Sequence, residues 1–517
     1  MNTMKRLLLI CGVAIILAAC QQEAAVKEKK SVQTYKMTTE IPAGILTPDK
    51  VETSIGTLEY FDGVPSKTTA ANVYDYLDRM RGVDAFMRGI PGASVRGLIV
   101  GLEEAGVDQY NKVGITKSLL DSKSLLLTAN TSTIYVTPYI NVGKNGPIVM
   151  ETPPGMLGAF NDAWFRYIAD IGPFGEDKGK GGKYLILPPV YEGEIPEGYF
   201  VIKSPTNKVF VFTRTSIANG IEKAVKMLQD NLKIYPLAEK DNAKEMELVD
   251  ISGVDFNTVH TNDFSFYEHL AEWINEEHVD MLDDVTKGLF ASIGIEKGKA
   301  FAPNGRMKNI LTEAVAIGNA AARSITYYPR TNMNLAGVEI YPDTESSWIM
   351  AFADKNVFFT TETGGYNTDA LDMFHYSYTA VTPAMAVTIE GAGSDYAISF
   401  LDGEKNPFDG AKEYKLHIPA NVPVNDFWAV TIYDTQTRSL LQTDQQFPTV
   451  GSLTEGFKQN EDGSFDVFFS PNSTPGKENN WLQTIPGKSF IVILRVYGPL
   501  KPWIEKTWRP GEVMLVK

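Results

Sequence analysis

Apolar residues recur along this chain in two rhythms. Spacing of three to four residues predicts helices over 68–82, where Val73, Leu77 and Met80 form a stripe, and over 84–104, interrupted at Pro91. The same spacing returns over 219–232, 263–290 and 307–328; in the last, Ile310, Ala314, Ile317 and Ala321 share a face, with Gly318 beside it for close packing. Elsewhere short apolar runs alternate with polar residues and stop at Gly or Pro, which predicts strands. After an opening strand in 56–65, one set covers 125–127, 134–136, 148–150, 184–187, 199–202 and 209–212, the last two flanking Pro205-Thr206-Asn207 as a hairpin. A second set covers 348–352, 384–389, 396–400, 414–418, 427–433, 465–469 and 489–497. The expected fold is α+β, with two antiparallel β-sandwich-like domains joined by a helical connector. Its boundaries are 46–218 for an N-terminal helix-plus-β domain, 219–345 for the connector and 346–517 for a C-terminal β-sandwich domain.

The first residues follow a different rule. Lys5 and Arg6 precede an apolar run over 7–17, shorter than the roughly 20 residues needed to span a bilayer and typical of a secretory signal. Leu17-Ala18-Ala19-Cys20 resembles the bacterial lipobox, which implies cleavage after residue 19 and acylation (palmitate among the acyl chains) at Cys20. Residues 20–45 are then a flexible tether. Gln21 stands where an aspartate would, by resemblance to enterobacterial lipoproteins, retain the protein at the inner membrane. The expected place is therefore the cell envelope, at the outer membrane, with the lipid as the membrane partner.

Composition narrows the chemistry. The only other cysteine, Cys11, falls in the signal, so the expected mature chain has no disulfide and no thiol nucleophile or cysteine metal site. A net charge of −15 argues against nucleic acid as a partner. No Gly-x-Ser-x-Gly or His-Glu-x-x-His motif occurs. The glycine-rich 175–183 segment lacks the P-loop pattern, having Asp177 and Tyr184 where glycine and a hydroxyl residue are needed. His269, Glu272 and Glu276 would share a helix face, but His278 lies more than two turns away, so a solvated face is expected rather than a metal site. Asn460-Glu461-Asp462-Gly463 places its glycine wrongly for a calcium loop and reads as a turn. No cofactor is expected.

Two polar and aromatic clusters in β territory are the candidate ligand-binding residues. Asn161, Asp162, Trp164 and Arg166 form one, with Lys183 opening the next β-run; Asp434 and Arg438 form the other. An indole can stack on an apolar ring face while a guanidinium fork bonds paired oxygens, so a glycan or small carboxylate would suit them. The alternative is a buried network in which Asp162 locks Arg166 and Trp164 fills core.

Taken in order, further motifs resemble a two-domain bacterial family. Met80-Arg81-Gly82-Val83, Arg88-Gly89-Ile90-Pro91, Asp121 to Leu125, Thr128-Ala129-Asn130-Thr131, Pro153-Pro154-Gly155, Asn161 to Arg166 and Gly181 to Tyr184 resemble the domain of unknown function DUF1254. Phe427-Trp428, Tyr433-Asp434, Thr437-Arg438, Asn460-x-Asp462-Gly463-Ser464, Asn480-Trp481, Pro486-Gly487-Lys488, Arg495-x-Tyr497-Gly498-Pro499-Leu500 and Trp508-Arg509 resemble its partner DUF1214. A departure occurs at His278, where the resemblance leads one to expect proline. The resemblance implies two β-sandwich-like domains, often exported, and implies no activity. A ligand-binding or assembly module of the envelope is the leading expectation. The alternative is a hydrolase or lyase acting on a glycan or small ester, with Asp162 and Asp434 as acid and base. A purely structural protein is the third possibility, and the sequence leaves the oligomeric state open.

Overall fold

The computed structural model describes residues 35–217 and 219–516. Cys20, the signal segment and most of the expected tether lie outside them. Among the described residues no helix is long and apolar enough to cross a membrane. The chain divides into two compact units, one ending at Val73 and the other starting at Tyr74. In the first, β1 (Lys50–Thr53), β2 (Gly56–Phe61) and β3 (Val64–Pro65) form a small antiparallel meander.

The second unit is a mixed α+β fold with two β-sandwich-like parts. In the first part β4 (Lys112–Ile115), β5 (Ile134–Asn141), β7 (Met156–Asp162), β8 (Tyr167–Ile171), β11 (Lys208–Thr215) and β13 (Glu247–Asp250) make a six-stranded sheet in the order β13-β4-β5-β11-β7-β8. A four-stranded sheet, β10-β9-β6-β12, joins β6 (Ile148–Thr152), β9 (Gly182–Leu187), β10 (Phe200–Lys203) and β12 (Lys233–Pro236). The two sheets share an apolar core that includes Ile134, Val136, Met150, Phe160, Ile186, Val209 and Val211. In the second part β14 (Ser394–Ser399), β16 (Val424–Asp434), β17 (Thr449–Gly451) and β20 (Phe490–Pro499) form a sheet in the order β14-β20-β16-β17. Facing it are β15 (Tyr414–Ile418), β18 (Phe465–Ser470), β19 (Trp481–Gln483) and β21 (Val513–Leu515), around a core with Leu416, Val430, Val467, Val492 and Leu494. Most pairings are antiparallel; β9 with β10, β4 with β13 and β18 with β19 are parallel.

Period-two alternation gives each central strand a second apolar face. Tyr135, Tyr139 and Phe210 on one sheet, and Ile398, Tyr433, Ile491 and Ile493 on the other, belong to a third core shared with the helices. Those helices are α1 (Lys67–Glu104), α3 (Ser265–Glu276), α4 (Asp284–Ser292), α5 (Gly305–Tyr327) and α6 (Thr368–Ser377), whereas α2 (Ile221–Asn231) packs on the first sandwich core. Helix packing is close where side chains are small. A methyl group added at Gly82 would lie 2.7 Å from Cβ of Ala314, and one at Gly318 would lie 2.6 Å from the Phe86 ring.

Several expected elements take another form. The two helices predicted over 68–82 and 84–104 are one helix, which runs on through Pro91. An interior proline costs about 3 kcal/mol, and burial of Ile90, Val95, Leu98 and Leu102 at roughly 1.5–3 kcal/mol each outweighs it. Val73 and Met80 of the predicted apolar stripe are exposed. Residues 384–389 are not a strand: Pro383–Ala386 is a helical turn whose N-cap Thr382 accepts from the amide of Ala384, with proline in its first turn. Leu126 and Leu127 are buried without belonging to a strand, and 348–352 contributes only isolated bridges at Ile349. The expected hairpin across Pro205 does not form, because β10 pairs with β9 while β11 pairs with β5 and β7. The intervening turn is instead held by Glu277, which is fully buried and accepts from the amides of Asn207 at 2.6 Å and Lys208 at 3.1 Å.

Candidate functional site

Alternation along β11 and β20 decides where two arginines go. On β11, Val209 and Val211 face the sandwich core, so Phe210, Phe212 and Arg214 face the other way. On β20, Val492, Leu494 and Val496 face their own core, so Ile491, Ile493 and Arg495 face outward. Those two outward faces meet across a cavity of about 120 Å³. Both guanidiniums line it, with Tyr135, Phe212, Tyr378, Tyr396 and Ile493 among its walls.

Arg495 is 4% exposed and donates to the Thr128 carbonyl at 2.6 Å and to the Tyr433 hydroxyl. That hydroxyl donates in turn to the Ala129 carbonyl at 2.6 Å. The Arg495 guanidinium also lies over the rings of Tyr433, at 5.4 Å, and Tyr396, at 5.6 Å. Arg214 donates to Ser394 Oγ at 3.1 Å, which lies 2.9 Å from the Tyr396 hydroxyl. Among the described residues neither guanidinium has a carboxylate partner. The rest of the wall is neutral. Burial pushes the phenols of Tyr135 and Tyr433 up to about 12. Tyr396 differs: burial alone would raise its phenol, but Arg214 and Arg495 together hold it below its ordinary value. The cavity also receives two buried hydroxyls without hydrogen-bond partners among the described residues, Tyr378 Oη and Thr379 Oγ1.

The candidates chosen from the sequence lie in three places. Asn161 is buried behind the end of β7; it donates to the Val381 carbonyl at 2.7 Å and accepts from the Val381 amide at 2.9 Å. Asp162 is also fully buried and accepts from the amides of Trp164, at 2.8 Å, and Arg166, at 2.9 Å, and from the Arg166 guanidinium. Trp164 and Arg166, expected in β territory, are not on a strand; they sit in the β7–β8 turn, which Phe165 rounds at φ 58°. Both still line one opening, a cleft of about 790 Å³. Lys183 is elsewhere, on β9, paired with Glu151 at 3.1 Å. Asp434 and Arg438 share a turn after β16, where Asp434 pairs with Lys488 and the fully buried Arg438 lies 4.0 Å over the Tyr376 ring. Asp162 and Asp434 lie in different turns, and neither lines the arginine cavity or this cleft.

Arg166→Ala should therefore destabilise the protein by about 2 kcal/mol, more than an exposed pair is worth and less than the roughly 3–5 kcal/mol of a fully buried one. Asp162 is sealed while the Arg166 side chain is 44% exposed, and two backbone donors remain to the carboxylate. Urea unfolding measures this; an unchanged midpoint would mean that the ion pair contributes nothing.

Arg214 and Arg495 were missed in the sequence, yet a signal was there. Ile491-Val492-Ile493-Leu494-Arg495-Val496-Tyr497 is apolar on both strand faces except at the arginine. A strand buried on both sides cannot release a guanidinium to water, so such a residue needs a built environment.

Comparison with known proteins agrees with the arrangement of the chain. The family model described as protein of unknown function DUF1254 matches residues 110–236, and that of DUF1214 matches 393–501. Arg214 lies in the first segment and Arg495 in the second. Among solved structures, the VPA0106 protein of Vibrio parahaemolyticus is similar at 18% identity, covering 85% of this chain and 100% of its own, with a TM-score of 0.49. An uncharacterized protein of Burkholderia cenocepacia is similar at 11% identity, covering 86% and 96%, with a TM-score of 0.38. No curated protein matches. With both segments present in order, the chain belongs to the two-domain DUF1254/DUF1214 family of proteins of unknown function.

Proposed function

We propose that this protein is a ligand-binding module whose cavity between the DUF1254 and DUF1214 segments takes a small carboxylate with a short apolar body. One observation carries the reading: Arg214 and Arg495 face the same cavity with no carboxylate partner among the described residues. A cation out of water calls for an anion, and guanidinium forks match the two oxygens of a carboxylate. Size limits the remainder. The cavity of about 120 Å³ is smaller than the roughly 150 Å³ cavity that accepts benzene, so an enclosed glycan does not fit. Phe212, Leu157 and Ile493 supply the apolar contact, and the free hydroxyls of Tyr378 and Thr379 supply further donors. In this reading acylation at Cys20 tethers the module to the envelope.

Tyr396 favours a second, enzymatic reading. A phenol beside two guanidiniums gives up its proton more readily than a free one, and as the phenolate it is a base of the kind that removes a proton from the carbon beside a bound carboxylate. Tyr396→Phe would then abolish turnover and leave binding intact.

A thermal-shift series of short aliphatic carboxylates, each beside its primary amide, tests the binding reading. A fitting carboxylate at a hundredfold above its Kd should add about 2.7 kcal/mol of stability by mass action, while its amide adds almost none. Equal shifts from acid and amide, or no shift across the series, would overturn it.

A further inference from the structure

The cleft beside Trp164 and Arg166 is built for the opposite charge. Its volume of about 790 Å³ is in the range of sites for small organic molecules. Trp164 and Tyr167 of the hairpin, Phe359, and the exposed rings of Phe358 and Tyr366 form its walls. α6 supplies its polar groups. Asp372 and His375 are three residues apart, so they share one helix face, and both line the cleft.

Asp372 is 8% exposed and has neither a hydrogen bond nor an ion pair among the described residues. His375 is 3% exposed; its Nδ1 lies 2.9 Å from the Leu371 carbonyl, which can only accept, so Nδ1 carries the proton. Nε2 is then a bare acceptor, buried with no partner among the described residues. Every other charge at the cleft is committed. Asp84 pairs with Arg88 at 2.9 Å, Asp162 with Arg166, and Asp369 on the same helix with Arg330. Asp283 caps α4, accepting from the amides of Val285 and Thr286 at 3.0 Å. What remains is a pair of unused acceptors, one an acid, beneath aromatic walls.

We propose that this cleft binds an organic amine as its ammonium ion, with Asp372 and His375 accepting its N–H groups and the aromatic rings covering its apolar body. An ammonium offers donors to both acceptors, and its charge is attracted to the faces of Trp164 and Tyr167. A carboxylate ligand would find no uncommitted cation in the cleft and would face the lone pair of His375 Nε2. The site is separate from the arginine-lined cavity and stands without it.

Asp372 holds its proton up to about pH 8, because burial and the nearby Asp369 and Asp84 disfavour its charge. An ammonium must displace that proton. Affinity should therefore rise about tenfold per pH unit below that value and level off above it.

The test is calorimetric titration of the protein with 2-phenylethylamine and, as its neutral counterpart, 2-phenylethanol. Saturable binding of the amine is expected, tighter at pH 8 than at pH 6, with the alcohol at least about tenfold weaker. Asp372→Asn should weaken amine binding by about tenfold or more and remove its pH dependence. Phe358→Ala, at a ring 57% exposed at the cleft, should weaken binding several-fold while leaving the melting temperature unchanged. Equal binding of amine and alcohol, undiminished binding by folded Asp372→Asn, or no saturation at millimolar amine would each overturn the proposal.

Discussion

Replacing Asp372 by asparagine is expected to stabilise the protein by several kcal/mol at pH 8 and to leave it almost unchanged at pH 4. The carboxyl is raised from 3.8 to about 8 by burial, with Asp369 and Asp84 adding to the effect. At the lowest pH both folded and unfolded chains keep the proton, so the group has no influence. Between those values the unfolded chain ionises while the folded chain holds its proton, so stability falls as pH rises, and the loss is complete near pH 8. A full shift corresponds to roughly 5–6 kcal/mol at 1.36 kcal/mol per unit. Asparagine keeps the shape and cannot ionise. Urea unfolding of both proteins from pH 4 to pH 8 should show the gap open steadily; parallel curves would mean that Asp372 ionises normally. The gain in stability would accompany the loss of amine binding, which separates a site residue from a structural one.

Arg495→Met is expected to weaken carboxylate binding by about 30- to 100-fold while costing no more than about 2 kcal/mol of stability. The variant removes a cation that no carboxylate among the described residues neutralises, and relief of its desolvation offsets part of the lost packing. Against that stand the donors lost to the Thr128 carbonyl and the Tyr433 hydroxyl. Tyr433 keeps its own bond to Ala129, so only the Thr128 carbonyl is left short. Calorimetric titration of the best carboxylate, beside urea unfolding, reads both effects. Unchanged affinity would remove Arg495 from the site. A stability loss above about 4 kcal/mol would make it a structural strut between the two sheets.

The candidate residues divide by how far their role depends on neighbours in sequence. Asn161, Asp162, Trp164 and Arg166 were visible as a cluster because a turn holds them together locally, and the structure keeps that cluster at one hairpin tip. Asp434 and Arg438 are likewise one turn. That the first turn borders a cleft, while Arg438 is sealed against Tyr376, depends on elements far away in the chain. α6 left no amphipathic trace, since residues on all its sides are buried, including Asp369, Asp372 and His375. Helical periodicity reports a boundary between core and water, and a helix with core on every side has none.

By itself the sequence determined the family, the alternation of β- and helix-rich stretches and, through the two-residue period, which side chains of β11 and β20 share a face. Phe210, Phe212 and Arg214 had to lie together, as did Ile491, Ile493 and Arg495. Only the tertiary structure decided that these two faces meet, that no carboxylate among the described residues joins them, and that Asp372 opens onto Trp164. The reason is physical. Local pattern fixes the direction of a side chain relative to its own strand or helix, whereas its partners are set by packing of remote apolar faces, which is strong but carries no address in the sequence.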